Sequence, residues 1–489
     1  MKIPADDSPP SSDAPSYVEL LEEVVSLRTM LAEQAQLIEK LAVEMAELRA
    51  RLAMNSRNSS KPPSSDGHAK PAPKSRRVRS GKKQGKQPGD PGHHLAQRAD
   101  PDATKVHTPA ICQGCRGDLS DAPVTSVIAR QVFDLPPMAL FCIEHRAERK
   151  RCTCGAETTG SFPSEATAPA CYGPALRAYV CYLVTRQHIP IARVAELLAD
   201  TYGAPVSTGV IVAMVKEGAD MLEEFLSQVR GLLCSSSVVH ADETGLRVEA
   251  VLAWVHAVST TDLTLYHLDQ RRGTKAMDAM GVLQHLSGVL VHDGWAPYRH
   301  YDNVTHALCN AHHLRELEAA AEADDQGWAS AMAGLLADTW HRVLVVRDAG
   351  ADTLSDAELS ALRSDYRAII AAGHRANPPP IPTGKRGRPK RSKPLNLLMR
   401  LDTHAEDVLR FAADFSVPFD NNLCERDVRM VKIAQKISGG FRSTEGAENF
   451  LAFRSYLSTA AKQGVNRLDA LQQLFNGNPW IPTVPRTAH

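Results

Sequence analysis

Aromatic residues are scarce, 5% of 489 positions, which argues against a broad aromatic platform of the kind that binds carbohydrate. No run of about 18 apolar residues occurs, so no membrane span and no membrane partner is expected. Met1 to Ser16 is polar and acidic without an apolar stretch, so no secretory leader is expected either. Ten cysteines without such a leader point to a reducing cytosol, and to metal ligands or free thiols rather than disulfides. An excess of one charge is also missing: 56 Lys plus Arg balance 56 Asp plus Glu, so net charge names no partner. What is present is enough apolar residue, 43%, for real cores, in a chain too long for one ordinary domain.

From Leu20 the apolar positions step by four and three through Val24, Leu27, Leu31, Ile38, Leu41, Met45, Leu48 and Leu52, with Gln34 the one polar seam position. Over 17–54 this predicts a coiled coil and a homo-oligomer. A helix lying on its own domain would show the same pattern, but the polar segment that follows gives it little to lie on. Residues 55–108 read as a basic flexible linker: Lys70, Lys74, Arg76, Arg77, Arg79, Lys82, Lys83 and Lys86 have almost no acidic neighbours. Such an arm is either simply solvated or grips nucleic-acid phosphates by counterion release.

Cys112-x-x-Cys115 and Cys152-x-Cys154 bracket strand-like alternations at Val124–Phe133 and Ala139–His145. Two close cysteine pairs across a hairpin-sized stretch suit a structural zinc site in a module spanning 109–160. The short second pair leaves Cys142 and His145 as alternative ligands. Residues 172–232 are helical in pattern. An amphipathic helix at 191–200 breaks at Gly203 and Pro205, and a second starts at Ser207 or Thr208, which is the outline of a helix-turn-helix.

Residues 235–312 change character. Strands are expected at 237–248, 252–258 and 263–268, then a helix at 274–285, strands at 288–292 and 304–309, and a helix from Ala311. Three strands in meander, a helix, then two strands alternating with helices is the order of an α/β, ribonuclease H-like mixed sheet. In that fold the strands carrying Asp242 and Asp293 are central neighbours, so the two carboxylates would converge. They repel unless a divalent cation sits between them, and hard oxygens suit Mg²⁺ or Mn²⁺. Farther on, Glu425, Arg429 and Lys432 fall on one face of a helix N-capped by an Asp or Asn near 420–422. That face is either a salt-bridge ladder or a third metal-binding acid followed by two cations that hold phosphate. The core thus spans 235–312 and 415–460. The interval from 293 to 425 is more than twice that from 242 to 293, so a helical insertion is expected at 313–414, with 461–489 left as a C-terminal tail.

Asp242-Glu-Thr, His292-Asp-Gly-Trp-x-x-Tyr298, Cys309-x-x-His312, Asn421-Asn-x-x-Glu425-Arg, the Asn-Ser-x-Asn-Ser-Ser-Lys-Pro-Pro-Ser-Ser stretch at 55–65 and Ile437-Ser-Gly-Gly-Phe-Arg-Ser443 together resemble the DDE transposases of bacterial insertion sequences. The likeness is to the large transposase of the insertion sequence sixty-six family, and it extends over most of the chain. The resemblance implies that Asp242, Asp293 and Glu425 form a metal-binding triad and that Cys112, Cys115, Cys152 and Cys154 bind zinc. It also implies small accessory proteins of the same element as partners. Arg386-Gly-Arg388-Pro within the insertion resembles an AT-hook core, whose arginines enter narrow minor grooves; a plain basic linker reads the same way.

The expected activity is divalent-metal-dependent cleavage of DNA at transposon ends and transfer of the freed 3′-hydroxyl into target DNA. Two metal ions about 4 Å apart would serve each active site. Arg429 and Lys432 would hold phosphate, while Cys309 and His312 would brace the last strand against the next helix. The rival readings are a non-catalytic zinc-containing DNA-binding regulator and a nuclease of the same fold that does not join strands. The expected location is the cytoplasm, at the nucleoid.

Overall fold

A computed structural model describes residues 16–53, 95–136, 138–163, 165–324, 326–380 and 391–483. Most of the basic linker, including Lys70 to Lys86 and the 55–65 motif, lies outside the described residues, as do Arg386 and Arg388 of the AT-hook-like segment. Along the chain run α1 (Tyr17–Ala53), β1 (Arg149–Arg151), β2 (Glu157–Thr159), α2 (Pro174–Cys181), α3 (Ile191–Tyr202), α4 (Thr208–Asp220) and α5 (Glu223–Cys234). There follow β3 (Val238–Val248), β4 (Val251–Ser259), β5 (Thr264–Asp269), α6 (Thr274–Ala279), β6 (Val289–His292) and β7 (Thr305–Leu308). The rest is helical: α7 (Asn310–Asp324), α8 (Gly327–Asp348), α9 (Asp356–Ala376), α10 (Lys393–Thr403), α11 (Ala405–Ala413), α12 (Asn422–Ser438), α13 (Thr444–Lys462) and α14 (Arg467–Phe475). None of the described helices is long and apolar enough to cross a membrane.

Two compact units partition the chain, one of residues 71–173 and 189–213, the other of residues 1–70, 174–188 and 214–489. In the smaller unit, β1 and β2 pair antiparallel, Arg149 opposite Thr159 and Arg151 opposite Glu157. The strands expected at 124–133 and 139–145 do not form; those residues are irregular and their apolar side chains, among them Val124, Ile128, Val132 and Phe141, are exposed. Alternation alone cannot hold a strand that has neither a partner nor a core face to bury. In the same unit α3 ends at Gly203, with φ of 61° and its N–H on Ala199 O, and Ala204 N–H reaches Leu198 O. This is a Schellman-type stop. Ser207 Oγ then accepts the Val210 N–H, opening α4 where the sequence placed a cap.

In the larger unit the sheet has the order β5-β4-β3-β6-β7, with β3–β4 and β4–β5 antiparallel and β3–β6 and β6–β7 parallel. The expected meander, helix and two further strands are therefore present, as a five-stranded mixed sheet. Because side chains alternate along a strand, β3 divides its residues between two cores. Val239 and Ala241 pack with Leu290, α5 (Phe225, Val229), α13 (Tyr456, Leu457) and α14 (Leu471, Leu474). Leu246 and Val248 pack on the other face with Cys424, Val428 and Val431 of α12. The stretch 461–489, set apart above as a tail, is not one through residue 475: α14 buries Ala470, Leu471, Leu474 and Phe475.

Helices α7 to α11 fill the interval before α12 and have a core of their own, including Leu317, Trp328, Met332, Leu336, Leu398 and Phe411. The insertion departs and returns at one point, where Asn310 N–H donates to Phe419 O at 3.0 Å. Helix α1 opens on a capping box between Ser16 and Glu19. Its seam residues, from Leu20 to Leu48, are exposed along the helix.

Helix α12 is fastened to the sheet by a buried acid. Asp427 Oδ2 accepts from Ser259 Oγ at 2.7 Å, Thr264 Oγ1 at 3.1 Å and Lys462 Nζ at 2.8 Å. Both charged side chains of this pair are only 15% exposed. Removing one member of such a pair strands the other in a poorly hydrated setting, so Asp427→Ala is expected to cost about 3 kcal/mol. Urea unfolding followed by tryptophan fluorescence measures this, since all five Trp residues lie between Trp254 and Trp480.

Candidate active site and metal centres

Strands β3 and β6 run parallel, with Val238 opposite Val289, Val239 opposite Leu290 and His240 opposite Val291. Two residues farther in that register, Asp242 stands beside Asp293, and in-register neighbours on parallel strands share a face. It is the face that carries Leu246 and Val248, the one covered by α12. β6 ends at His292, so Asp293 begins the turn beyond it. Trp295 N–H donates to Asp293 Oδ1 at 2.8 Å, and Gly294 takes φ of 88°, a conformation that favours glycine.

The start of α12 is pinned over this spot. Asn421 was expected as a possible N-cap, yet its side chain does not cap the helix. Its Oδ1 accepts from His240 Nδ1–H at 2.9 Å and its Nδ2–H donates to Ala241 O at 2.8 Å, while its backbone N–H reaches Cys309 Sγ at 3.1 Å. One side chain thereby ties the helix to the residues just before Asp242. One turn on, Glu425 Oε1 lies 3.5 Å from His312 Nδ1, 3.6 Å from Arg315 Nη2 and 4.0 Å from Cys309 Sγ. Past the helix, Phe441 N–H donates to Arg247 O at 2.8 Å and Phe441 O accepts from Glu249 N–H at 2.9 Å. Gly440 makes that approach possible, because a Cβ there would sit 2.8 Å from Arg247 O.

Withdrawal from water is the first cause that pushes the Asp242 carboxyl pKa well up; the charges of Glu243, Asp293 and Glu425 add to it. Asp293 and Glu425 are thus close enough to oppose ionisation of Asp242. A buried carboxyl opposed by neighbouring acids fits a bound divalent cation, which reverses the sign of the effect. His312 is shifted the other way: burial first, then Arg315, holds its pKa down, so the imidazole is neutral beside Glu425. Burial likewise holds the Lys432 pKa down. Its Nζ donates to Gly245 O, whereas Arg429, on the same helix, is exposed.

Sequence reasoning missed the group on the opposite face of β3. Glu243, with a side chain only 1% exposed, accepts from Tyr298 Oη at 2.6 Å and from Arg272 Nη2 and Nε at 2.6 and 3.0 Å. The Arg272 guanidinium lies between two indoles, 4.1 Å from the Trp295 ring centre and 4.8 Å from that of Trp254. Burial raises the Glu243 pKa, and Tyr298 and Arg272 counter it. The signal was a second acid inside an apolar strand, directly after Asp242.

The cysteines of the smaller unit form two tight turns. Arg116 N–H closes on Cys112 O at 3.0 Å and Cys112 N–H on Gly117 O at 2.9 Å; Cys152 N–H reaches Ala156 O at 2.8 Å and Gly155 N–H reaches Cys152 O at 2.9 Å. Backbone N–H groups of Cys115 and Gly114 hold the Cys112 pKa down, and that of Cys154 does the same for Cys152. Turns whose amides face sulfur are the right setting for thiolate ligands. The two pairs are not drawn together: among the described residues, the one group of three or more His, Cys, Asp or Glu with ligand atoms within 4.8 Å of one another is Cys309, His312 and Glu425. Cys142 is exposed, and His145 Nε2 lies 3.9 Å from Glu165.

A family model described as the transposase IS66 family matches residues 169–449. A second, the zinc-finger binding domain of transposase IS66, matches residues 109–155. A third, a family of unknown function termed DUF6444, matches residues 7–96. No curated protein matches the chain.

Two outcomes follow. A carboxyl whose folded pKa is raised binds its proton more tightly in the native state than in the unfolded chain. It therefore subtracts stability as pH climbs above the unfolded value of about 3.9. Asp242→Asn is expected to stabilise the metal-free protein, by a margin that widens from about pH 4 to pH 7, read as the urea midpoint by tryptophan fluorescence. In the smaller unit, zinc removal by a chelator is expected to abolish protease resistance between residues 109 and 160 while the tryptophan signal is retained, because apolar burial does not hold that module.

Proposed function

The chain belongs to the IS66 transposase family, and from that premise we propose that it cleaves DNA at the ends of its insertion sequence and joins the freed 3′-hydroxyls to target DNA. We take Asp242, Asp293 and Glu425 as the acids that hold two divalent cations, Mg²⁺ or Mn²⁺, in a core of ribonuclease H-like order. The observation that carries this reading is the β3–β6 register, which sets two aspartates abreast beneath the helix bearing Glu425. When bound, such ions supply activation of the attacking oxygen and charge stabilisation of the leaving one.

The chain's own residues fix the geometry. Asn421 holds the first turn of α12 against Ala241, and Asp427 anchors the second. Arg315 Nη2, 3.6 Å away, and His312 Nδ1, 3.5 Å away, flank Glu425 Oε1. Arg429 is exposed beyond Glu425 and is assigned to a flanking phosphate; Lys432, on Gly245 O, is assigned to the same strand of DNA at the price of releasing that carbonyl. DNA is the partner through the zinc-binding module, the α3–α4 corner and the basic linker, with Arg386 and Arg388 in a minor groove. The exposed seam of α1 is the proposed oligomerisation surface, and accessory proteins of the element are proposed co-partners.

The test uses purified full-length protein, pre-cleaved end duplex, target DNA and Mg²⁺. Wild type is expected to join strands, and Asp293→Asn and Glu425→Gln to lose at least about a hundredfold in rate with DNA affinity kept. Full joining by either variant would falsify the triad; hydrolysis without joining by wild type would leave a nuclease.

A further inference from the structure

Cys309, His312 and Glu425 make a donor set that the reading above uses only for its carboxylate. Their Sγ, Nδ1 and Oε1 atoms lie within 4.8 Å of one another. Three elements supply them: Cys309 directly follows β7, with its N–H on His292 O at 2.9 Å; His312 sits in the first turn of α7, with its N–H on Cys309 O at 3.1 Å; Glu425 is in the first turn of α12. Cys309 is wholly buried, and His312 Nδ1 is buried without a hydrogen-bond partner. A lone imidazole nitrogen left unpaired in the interior costs free energy unless something meets it.

Zinc bonds of 2.0 to 2.3 Å to N, O and S make a tetrahedron with edges of about 3.3 to 3.8 Å. Glu425 Oε1 already stands 3.5 Å from His312 Nδ1 and 4.0 Å from Cys309 Sγ. Only small side-chain movements separate the cluster from three corners of such a site, with a fourth open to water. Sulfur, imidazole and carboxylate together select a zinc-class ion, whereas Mg²⁺ takes oxygen ligands. On binding, the Cys309 thiol gives its proton to solvent, so thiolate and carboxylate balance the dication. Asn421 N–H, 3.1 Å from Sγ, can keep its bond to the thiolate. Arg315 Nη2, 3.6 Å from the same oxygen, opposes a cation and must turn away to let it in.

We propose that Cys309, His312 and Glu425 form a second, zinc-class metal site that abuts the acidic site and shares Glu425 with it. Resting on the proposed function, zinc here draws Glu425 away from Asp242 and Asp293 and stops strand joining, so the identity of the bound metal switches the enzyme.

The experiment first removes the competing thiols of the smaller unit with Cys112→Ser, Cys115→Ser, Cys142→Ser, Cys152→Ser, Cys154→Ser and Cys171→Ser in the full-length chain, then adds Co²⁺. A cobalt–thiolate charge-transfer band is expected. It should vanish in His312→Ala and in Cys309→Ala made on that background, and persist in Asp242→Asn; circular dichroism and tryptophan fluorescence check that each variant is folded. Zinc content of the otherwise wild-type protein should fall by one equivalent in His312→Ala. Absence of the band in the parent, or its survival in folded His312→Ala, overturns the site. Because the band is read without DNA, it stands or falls separately from the triad. Joining that persists in Asp242→Asn would sink the triad alone, and joining unaffected by saturating zinc in wild type would remove the switch.

Discussion

Like charges brought together out of water set the terms for this fold. Neighbouring acids, Asp293 and Glu425 among them, raise the cost of ionising the buried Asp242, and left to themselves the three would drift apart. They stay because each is held: Asp242 on a strand locked by a backbone ladder, Asp293 in the turn that ends the neighbouring parallel strand, and Glu425 on a helix tied down at its beginning, farther along and beyond its end. Asn421, Asp427 and Phe441 are those ties. The surrounding apolar cores supply the stability against which this repulsion is tolerated.

Much of the frame was readable from residue order. All five strands of the sheet were expected within a residue or two, because long apolar runs bounded by Gly and Asp leave few alternatives. The nearness of Asp293 and Glu425 to Asp242 followed from strand order and from the family resemblance rather than from any one of the three acids by itself. What could not be read was the wiring. Asn421 looks like a helix cap, and only the nearness of His240 and Ala241, far away in sequence, explains why its side chain turns to the sheet instead. Glu243 and Arg272 are unremarkable until the meander folds and Trp254 and Trp295 close on either side of the guanidinium.

Alternation misled where no core was available. Residues 124–133 and 139–145 have the pattern of strands, but among the described residues they pair with no other strand and their apolar side chains are mostly exposed, so the pattern goes unused. Between residues 109 and 160 the order is local: two thiol-bearing turns and a three-residue hairpin. Sulfur and backbone amides stand in that stretch where buried methyl groups would stand in a larger core. The tail at 461–489 misled in the opposite direction, because a short amphipathic segment was discounted that the sheet's outer core needed as a lid.

The meeting of Asn310 and Phe419 deserves a last consideration. The residues between them leave the sheet and return with an interior of their own, and they also hold the sheet elsewhere: Arg410 Nε donates to His306 O at 2.7 Å and Arg299 Nη1 to Asp407 Oδ2 at 2.6 Å. Such a block is a side branch rather than a segment of the trunk. Its far helices, α8 and α9, can change in length over generations without shifting strand pairing, as the closure entropy of an appendage grows only slowly with its size. The near helices α7 and α11, which touch Glu425 and β7, are held to a narrower range of change.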